Sequence, residues 1–256
     1  MTFPDDYENK VICGDCLEVM KDIPDNSVDL VLTDPPYGIT ACEWDTVPDL
    51  AKLWEILKRI RKPNCVYVFT ASQPFTTDLI NSNRKWFKYE WIWDKVNLYT
   101  GALNANIMPL KRHENIVVFS DNLTIYNKQY RRGEPYYRQR KNQIPSGEVA
   151  STKTQSIPTI NNGQHNPCSI LQVKSNIKTE KGLHPTQKPL ELMKYLVLTY
   201  SNPGGLILDC FCGSGTTLVA AKDLDRRFIG VELNQGYVDI CHKRLNAVHP
   251  KLEGIT

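Results

Sequence analysis

Seven runs of β-type apolar residues punctuate this chain, at 10–13, 28–33, 65–70, 89–93, 116–120, 206–210 and 228–232. Most are continuous rather than alternating, which is the pattern of strands covered on both faces. Helical periods lie between them: Leu50, Leu53, Trp54, Leu57 and Ile60 recur at i, i+3, i+4 and i+7, and Leu190, Met193, Leu196 and Val197 repeat that spacing after Pro189. Residues 218–224 and 237–245 offer two more helices. Strands alternating with helices predict an α/β fold, a doubly wound and mostly parallel sheet, here of seven strands. With 256 residues the chain can bury one large core that carries an insertion.

The pattern lapses over residues 121–182, which are rich in Asn, Gln, Ser, Thr, Pro and Tyr and hold no sustained period. Such a stretch is too long for a simple connection. It carries ten Lys and Arg against four Asp and Glu, although the whole chain sums to only +3, so the basic character is concentrated here. A solvated loop and a polyanion-binding element both have this composition. The expected organisation is therefore one domain made of 1–120 and 183–256, with 121–182 inserted.

No apolar run approaches the roughly 18 residues that span a bilayer, and the first ten residues are acidic and polar rather than basic then apolar. A cytoplasmic, nucleoid-associated protein is expected, with no membrane partner. The eight cysteines need not be staples in a chain with this much core. Cys13-Gly14-Asp15-Cys16 has the spacing of a zinc half-site or redox pair, but a second C-x-x-C is absent and Cys13 ends an apolar run. Reduced thiols and no metal are expected.

Two short strings carry chemistry. The run ending at Asp209 and Cys210 leads into Phe211-Cys212-Gly213-Ser214-Gly215 and then into a helix that Thr216 and Thr217 can begin. Glycine permits a tight turn and close approach of a ligand to the backbone, and a helix start offers unpaired N–H groups. The next strand ends in Glu232, an acid at the distance where α/β sheets clamp ribose hydroxyls. This spacing fits a dinucleotide or an adenosyl cofactor, and Leu218 in place of a third glycine leans away from the dinucleotide.

Asp34-Pro35-Pro36-Tyr37 follows the second apolar run. By itself it is good turn chemistry. It also suits an aromatic amine as substrate, whose lone pair is delocalised into its ring. Two acceptors aimed at the two N–H bonds, the Asp34 carboxylate and the Pro35 carbonyl, would favour a pyramidal nitrogen, with proline fixing the backbone. Tyr37 would give an extruded base a flat face.

Taken together and in this order, the strings resemble those of the β-class DNA amino-methyltransferases, the permuted group in which the catalytic motif comes first and the adenosylmethionine motif follows the recognition region. His184-Pro185-Thr186-Gln187-Lys188-Pro189 resembles the family's His-Pro-Thr-Glu-Lys-Pro string, with Gln187 in place of Glu. Gly14-Asp15-Cys16-Leu17 resembles the family's element at the cofactor adenine, and residues 113–119 resemble its core strand before the recognition region.

The resemblance implies a Rossmann-like methyltransferase that moves a methyl group from S-adenosylmethionine to the N6 amine of a flipped-out adenine in duplex DNA. It implies Asp34, Pro35, Pro36 and Tyr37 at the reaction. At the cofactor it implies Asp15, Cys16, Asp34, His184, Thr186, Lys188, Asp209, Phe211, Gly213, Ser214, Gly215, Thr216, Thr217 and Glu232. It places Arg131, Arg132, Arg138, Arg140 and Lys141 in the recognition region as DNA contacts. In this family Asp at the first catalytic position usually goes with N6-adenine and Ser with N4-cytosine, so Asp34 favours adenine. The rivals are N4-cytosine in DNA, adenine in RNA, a glutamine side chain, or a non-catalytic DNA-binding accessory protein. A second copy of the chain to grip the duplex and a cognate restriction endonuclease are the further partners expected.

Overall fold

The computed structural model describes residues 2–39, 45–122, 125–138, 158–175 and 187–248. Chain order is β1 (Lys10–Cys13), α1 (Cys16–Val19), β2 (Val28–Thr33), α2 (Leu50–Ile60), β3 (Arg61–Ala71), α3 (Phe75–Ser82), β4 (Phe87–Asp94) and β5 (His113–Phe119). Four short strands follow, β6 (Arg131–Arg132), β7 (Tyr136–Arg138), β8 (Thr159–Asn161) and β9 (Gln164–His165). The chain then runs through β10 (Ile170–Gln172), α4 (Leu190–Tyr200), β11 (Leu206–Asp209), α5 (Thr216–Asp223), β12 (Arg227–Glu232) and α6 (Gln235–Asn246).

The main sheet has eight strands in the order β1-β12-β11-β2-β3-β5-β4-β10. All seven expected runs are in it, and the eighth, β10, is a three-residue edge strand parallel to β4. Sequence periodicity could not reveal β10, because three residues are too few to show a period. Neighbours are parallel except at β5, which runs antiparallel to β3 and β4.

Each face of the sheet carries its own apolar core, as the continuous runs require. In β3, Val66 and Val68 pack on one side, while Cys65, Tyr67, Phe69 and Ala71 pack on the other. Leu192, Met193 and Leu196 of α4, Leu218 of α5 and Val238 of α6 cover the first face. Leu53, Trp54 and Leu57 of α2 and Phe75 and Leu79 of α3 cover the second. Helix α2 starts where the Asp49 carboxylate accepts the Ala51 and Lys52 N–H groups, and Lys58 and Arg59 suit the negative end of its dipole.

The chain divides into two compact units, one of 1–127 with 169–256 and one of 128–168. The smaller unit lies inside the expected 121–182 at both ends. Ile125 and Tyr126 pack against the core of the larger unit, and β10 belongs to its sheet, so apolar packing holds both flanks to the larger unit. In the smaller unit β6 pairs with β9 and β7 with β8, both antiparallel. No helix among the described residues is long and apolar enough to cross a membrane.

Candidate active site

Parallel strands end at the same edge of a sheet, so the segments that follow β1, β2, β11 and β12 are gathered together. These segments line a cavity of about 1140 Å³ that reaches from Asp15 past Glu232 and Gly213 to Asp34. Because β5 runs the opposite way, its first residues, His113 and Glu114, arrive at this edge as well. Lys95, just after β4, and Lys188, just before α4, complete that end of the cavity.

Asp34 stands at the end of β2 with a half-buried side chain. Its Oδ1 accepts the Tyr37 hydroxyl at 2.5 Å and the Thr70 hydroxyl. Its Oδ2 accepts the Lys188 ammonium at 2.5 Å. A carboxylate oxygen has two lone-pair sites, so Oδ1 is filled and Oδ2 keeps one. The turn after Asp34 is held by Asp45, whose carboxylate accepts the N–H groups of Tyr37, Gly38 and Ile39 at 2.7, 2.9 and 3.0 Å. The Tyr37 ring stacks on Phe75, with centroids 5.5 Å apart. Burial and the Asp34 carboxylate push the Tyr37 phenol far above its usual range, so it acts as a donor.

Behind Asp34 the charges alternate. Lys188 is 8 % exposed, and its ammonium lies 3.5 Å from Glu114 Oε2, whose other oxygen pairs with Lys95 at 2.6 Å. Burial works against the Lys188 charge, but Asp34 and Glu114 outweigh it and raise its pKa above the ordinary lysine value. Burial likewise opposes the Glu114 carboxylate, and Lys188 and Lys95 overcome it and hold the group below its usual value. Glu114 Oε2 is buried, and its contact with Lys188, at 3.5 Å, is at the long limit of a hydrogen bond.

The glycine string forms a tight loop before α5. Gly213 and Gly215 have φ of 51° and 77°, a region that side chains rarely adopt, and a Cβ on Gly215 would lie 2.8 Å from the Cys241 sulfur. Glu232 Oε2 accepts the Gly213 N–H at 3.0 Å and Oε1 accepts that of Asn234 at 2.8 Å. One lone-pair site on each oxygen is left, which suits a diol. Arg244 ties this loop to α6 by donating to the Ser214 carbonyl at 2.6 Å and to the Thr216 hydroxyl at 3.0 Å.

The expected cofactor residues divide by placement. Asp15, Cys16, Asp34, Lys188, Asp209, Phe211, Gly213, Ser214, Thr216, Thr217 and Glu232 all line the cavity. Gly215 caps α5 behind that surface. The Asp15 carboxylate caps α1 by accepting the Leu17 and Glu18 N–H groups, and burial, then Asp15, pushes the Cys16 thiol up to about 12. Asp209 is buried and accepts the Thr33 hydroxyl at 2.6 Å and the Phe211 N–H at 3.2 Å, and burial raises its pKa to about 6. Thr217 donates to the Met193 sulfur and Ser214 to Gln187. His184 and Thr186 lie outside the described residues.

Sequence reasoning missed Thr70, Asp45, Lys95, Thr33 and Arg244, and gave Glu114 no role. Thr70 is hidden inside an apolar strand, Asp45 is a lone loop acid that bonds backbone N–H groups six to eight residues before it, and the partners of Lys95, Thr33 and Arg244 are distant in sequence. Only the family-like string at 113–119 carried a signal, for Glu114.

In the smaller unit Arg131, Arg132 and Arg138 are exposed on β6 and β7, with Tyr130, Tyr136 and Tyr137 exposed beside them in sequence. Arg140 and Lys141 lie outside the described residues. No group of three or more His, Cys, Asp or Glu that could hold a metal occurs among the described residues.

Comparison with known proteins agrees with this arrangement. The family model described as DNA methylase, of the N6/N4 type, matches residues 28–243. The type II methyltransferase M.BglII of Bacillus subtilis is 30 % identical over 96 % of this chain and 71 % of its own length. M.HinfI of Haemophilus influenzae is 28 % identical over 96 % of this chain and 70 % of its own. Among solved structures, a complex of M1.HpyAVI with SAM has a TM-score of 0.61 at 24 % identity, covering 93 % of this chain and 99 % of that one. The cytosine-N4-specific PvuII DNA methyltransferase has a TM-score of 0.65 at 16 % identity, covering 93 % and 87 %. With the Asp34-to-Tyr37 string and the glycine loop facing one cavity and a family match along most of its length, this chain belongs to the N6/N4 DNA methylase family and is a site-specific DNA amino-methyltransferase.

Proposed function

We propose that the protein methylates the N6 amine of adenine in duplex DNA after the base has been flipped out. The observation that carries this proposal is the Asp34 carboxylate, held by three donors so that one lone-pair site on Oδ2 remains for an incoming N–H. Asp rather than Ser at this position favours adenine. The Pro35 carbonyl supplies the second acceptor, and together the two withdraw the amine hydrogens from the plane of the base. Asp34 lies in a cavity lined by strand ends, which a base stacked in a duplex cannot enter.

The cofactor is S-adenosylmethionine. The cavity fits it: Glu232 offers an acceptor site on each oxygen for ribose hydroxyls, next to a loop whose glycine backbone a ligand can approach. When bound, it supplies an electrophilic methyl carbon that the target nitrogen takes in line, the carbon–sulfur bond breaking with its electron pair kept by sulfur. Asp34 then accepts the proton that the methylated nitrogen sheds. No cysteine nucleophile is needed, and a Cys16 thiol raised to about 12 stays protonated.

Incubating unmethylated genomic DNA with the protein and labelled cofactor, then analysing nucleosides by mass spectrometry, should yield N6-methyladenine. Label appearing only in N4-methylcytosine would overturn the choice of base.

We assign DNA recognition to the inserted region, on the strength of its exposed Arg131, Arg132 and Arg138. Arg140 and Lys141 join them by sequence. Replacing Arg131 and Arg132 together by Glu should weaken DNA binding and flatten the log–log salt dependence by about 2 units, roughly 0.9 for each phosphate that is no longer neutralised. An unchanged slope in a fluorescence titration would remove this assignment. A second copy of the chain and a restriction endonuclease of matching specificity are the protein partners proposed.

A further inference from the structure

Resting on the methyl-transfer assignment, we propose that Lys188 and Glu114 belong to the catalytic carboxylate rather than to the cofactor: Glu114, acting through Lys188, is a positioning residue that aims Asp34 at the target amine. Three observations support this.

The first is geometric. Lys188 bonds Asp34 Oδ2 at 2.5 Å and occupies one of its two lone-pair sites, so the site that remains has a single direction. A lysine has a flexible four-carbon stem and cannot by itself fix that direction. Burial and a second carboxylate, Glu114 at 3.5 Å, hold its head in place.

The second concerns charge. As the target nitrogen attacks, it becomes positive, and Asp34 is the anion beside it. An ammonium at 2.5 Å would by itself offset that anion. Glu114 offsets the ammonium in turn and leaves the Asp34 charge effective toward the nitrogen. Lys95, buried with its ammonium 5.2 Å from the Trp93 ring centroid, anchors Glu114 at 2.6 Å.

The third is the cost of the arrangement. Buried carboxylate oxygens are normally hydrogen-bonded, whereas Glu114 Oε2 has nothing shorter than its 3.5 Å contact with the Lys188 ammonium. The Glu114 charge is balanced there by the ammonium groups of Lys188 and Lys95, so Oε2 acts on the lysine that holds Asp34. The groups that face Lys188 are Asp34, Glu114 and the Tyr37 ring at 5.7 Å, and Glu114 is in turn coupled to Lys95 and Lys111.

The test compares Glu114→Gln, Lys188→Met, Lys188→Arg and the double variant Glu114→Gln/Lys188→Met. Its readouts are kcat for methyl transfer to unmethylated genomic DNA, the Kd for S-adenosylmethionine by calorimetry, and the pH profile of kcat. Glu114→Gln and Lys188→Met should each lower kcat by about 10²-fold, the scale of a misplaced reacting group. Cofactor Kd should stay unchanged, Lys188→Arg should recover part of the rate, and the double variant should be no slower than Lys188→Met. In Glu114→Gln the alkaline limb of the kcat profile should move to lower pH, because Lys188 keeps only one of its two anions.

A Lys188→Met variant with intact kcat and weakened cofactor binding would overturn the proposal, as would losses that multiply in the double variant. If Glu114→Gln does not fold, the cofactor Kd of Lys188→Met and its comparison with the double variant still decide. Absence of any methyl transfer by the unmutated protein would instead count against the function itself.

Discussion

Asp34→Asn should lower kcat for methyl transfer by about 10³-fold or more, while S-adenosylmethionine still binds. The substitution keeps the shape of the side chain and changes two things. It removes the negative charge that meets the developing cation on the nitrogen, and electrostatic contributions of this kind are worth about 10² to 10³ in rate. It also replaces one acceptor oxygen by a donor, so an amide nitrogen faces either the hydroxyls of Tyr37 and Thr70 or the ammonium of Lys188. The cofactor end of the cavity has its own anchors at Glu232 and the glycine loop, which are bonded to one another and not to Asp34. Radiolabel transfer and calorimetry on the same preparation check this result. Full activity in Asp34→Asn would remove the proposed mechanism, and loss of cofactor binding alone would move Asp34 to the other half of the site.

Glu232→Ala should raise the cofactor Kd by about 10²-fold, a loss of roughly 2.8 kcal/mol at about 1.4 kcal/mol per decade. The carboxylate has two tasks that fail together. Its oxygens hold the N–H groups of Gly213 and Asn234, so its removal leaves two backbone donors without their acceptor and loosens a loop already bent through positive φ. The same oxygens have the spare acceptor sites proposed for the ribose. Glu232→Gln separates the two tasks, since one amide oxygen can still accept but the neighbouring nitrogen cannot. It should bind with intermediate affinity in the same calorimetric measurement. An unaltered Kd in both variants would exclude Glu232 as the clamp.

The sheet was legible because burial on both faces forces continuous apolar runs. Leu206 to Asp209 and Val28 to Thr33 are strands for the same reason that they are apolar. Strand β10 was not legible, because Ile170 to Gln172 is too short for a pattern and is placed by pairing with Ile92 to Asp94. Among site residues, Asp34 and the glycine loop declare themselves locally. Thr70 reads as one more strand residue, yet its hydroxyl is bonded to Asp34. Asp45 reads as an ordinary loop acid until its three backbone bonds around Tyr37 are seen.

The class of fold, the order of the catalytic and cofactor strings, and the acids at their strand ends could all be read along the chain, because each depends on neighbours in sequence. What each acid faces could not. Folding brings Asp34, Glu114 and Lys188, distant from one another in sequence, into one connected set of alternating charges. The reversed direction of β5 is what delivers Glu114 to the edge where the parallel strands end. Strand direction and long-range charge pairing are set by packing between elements, and no local pattern of residues encodes them.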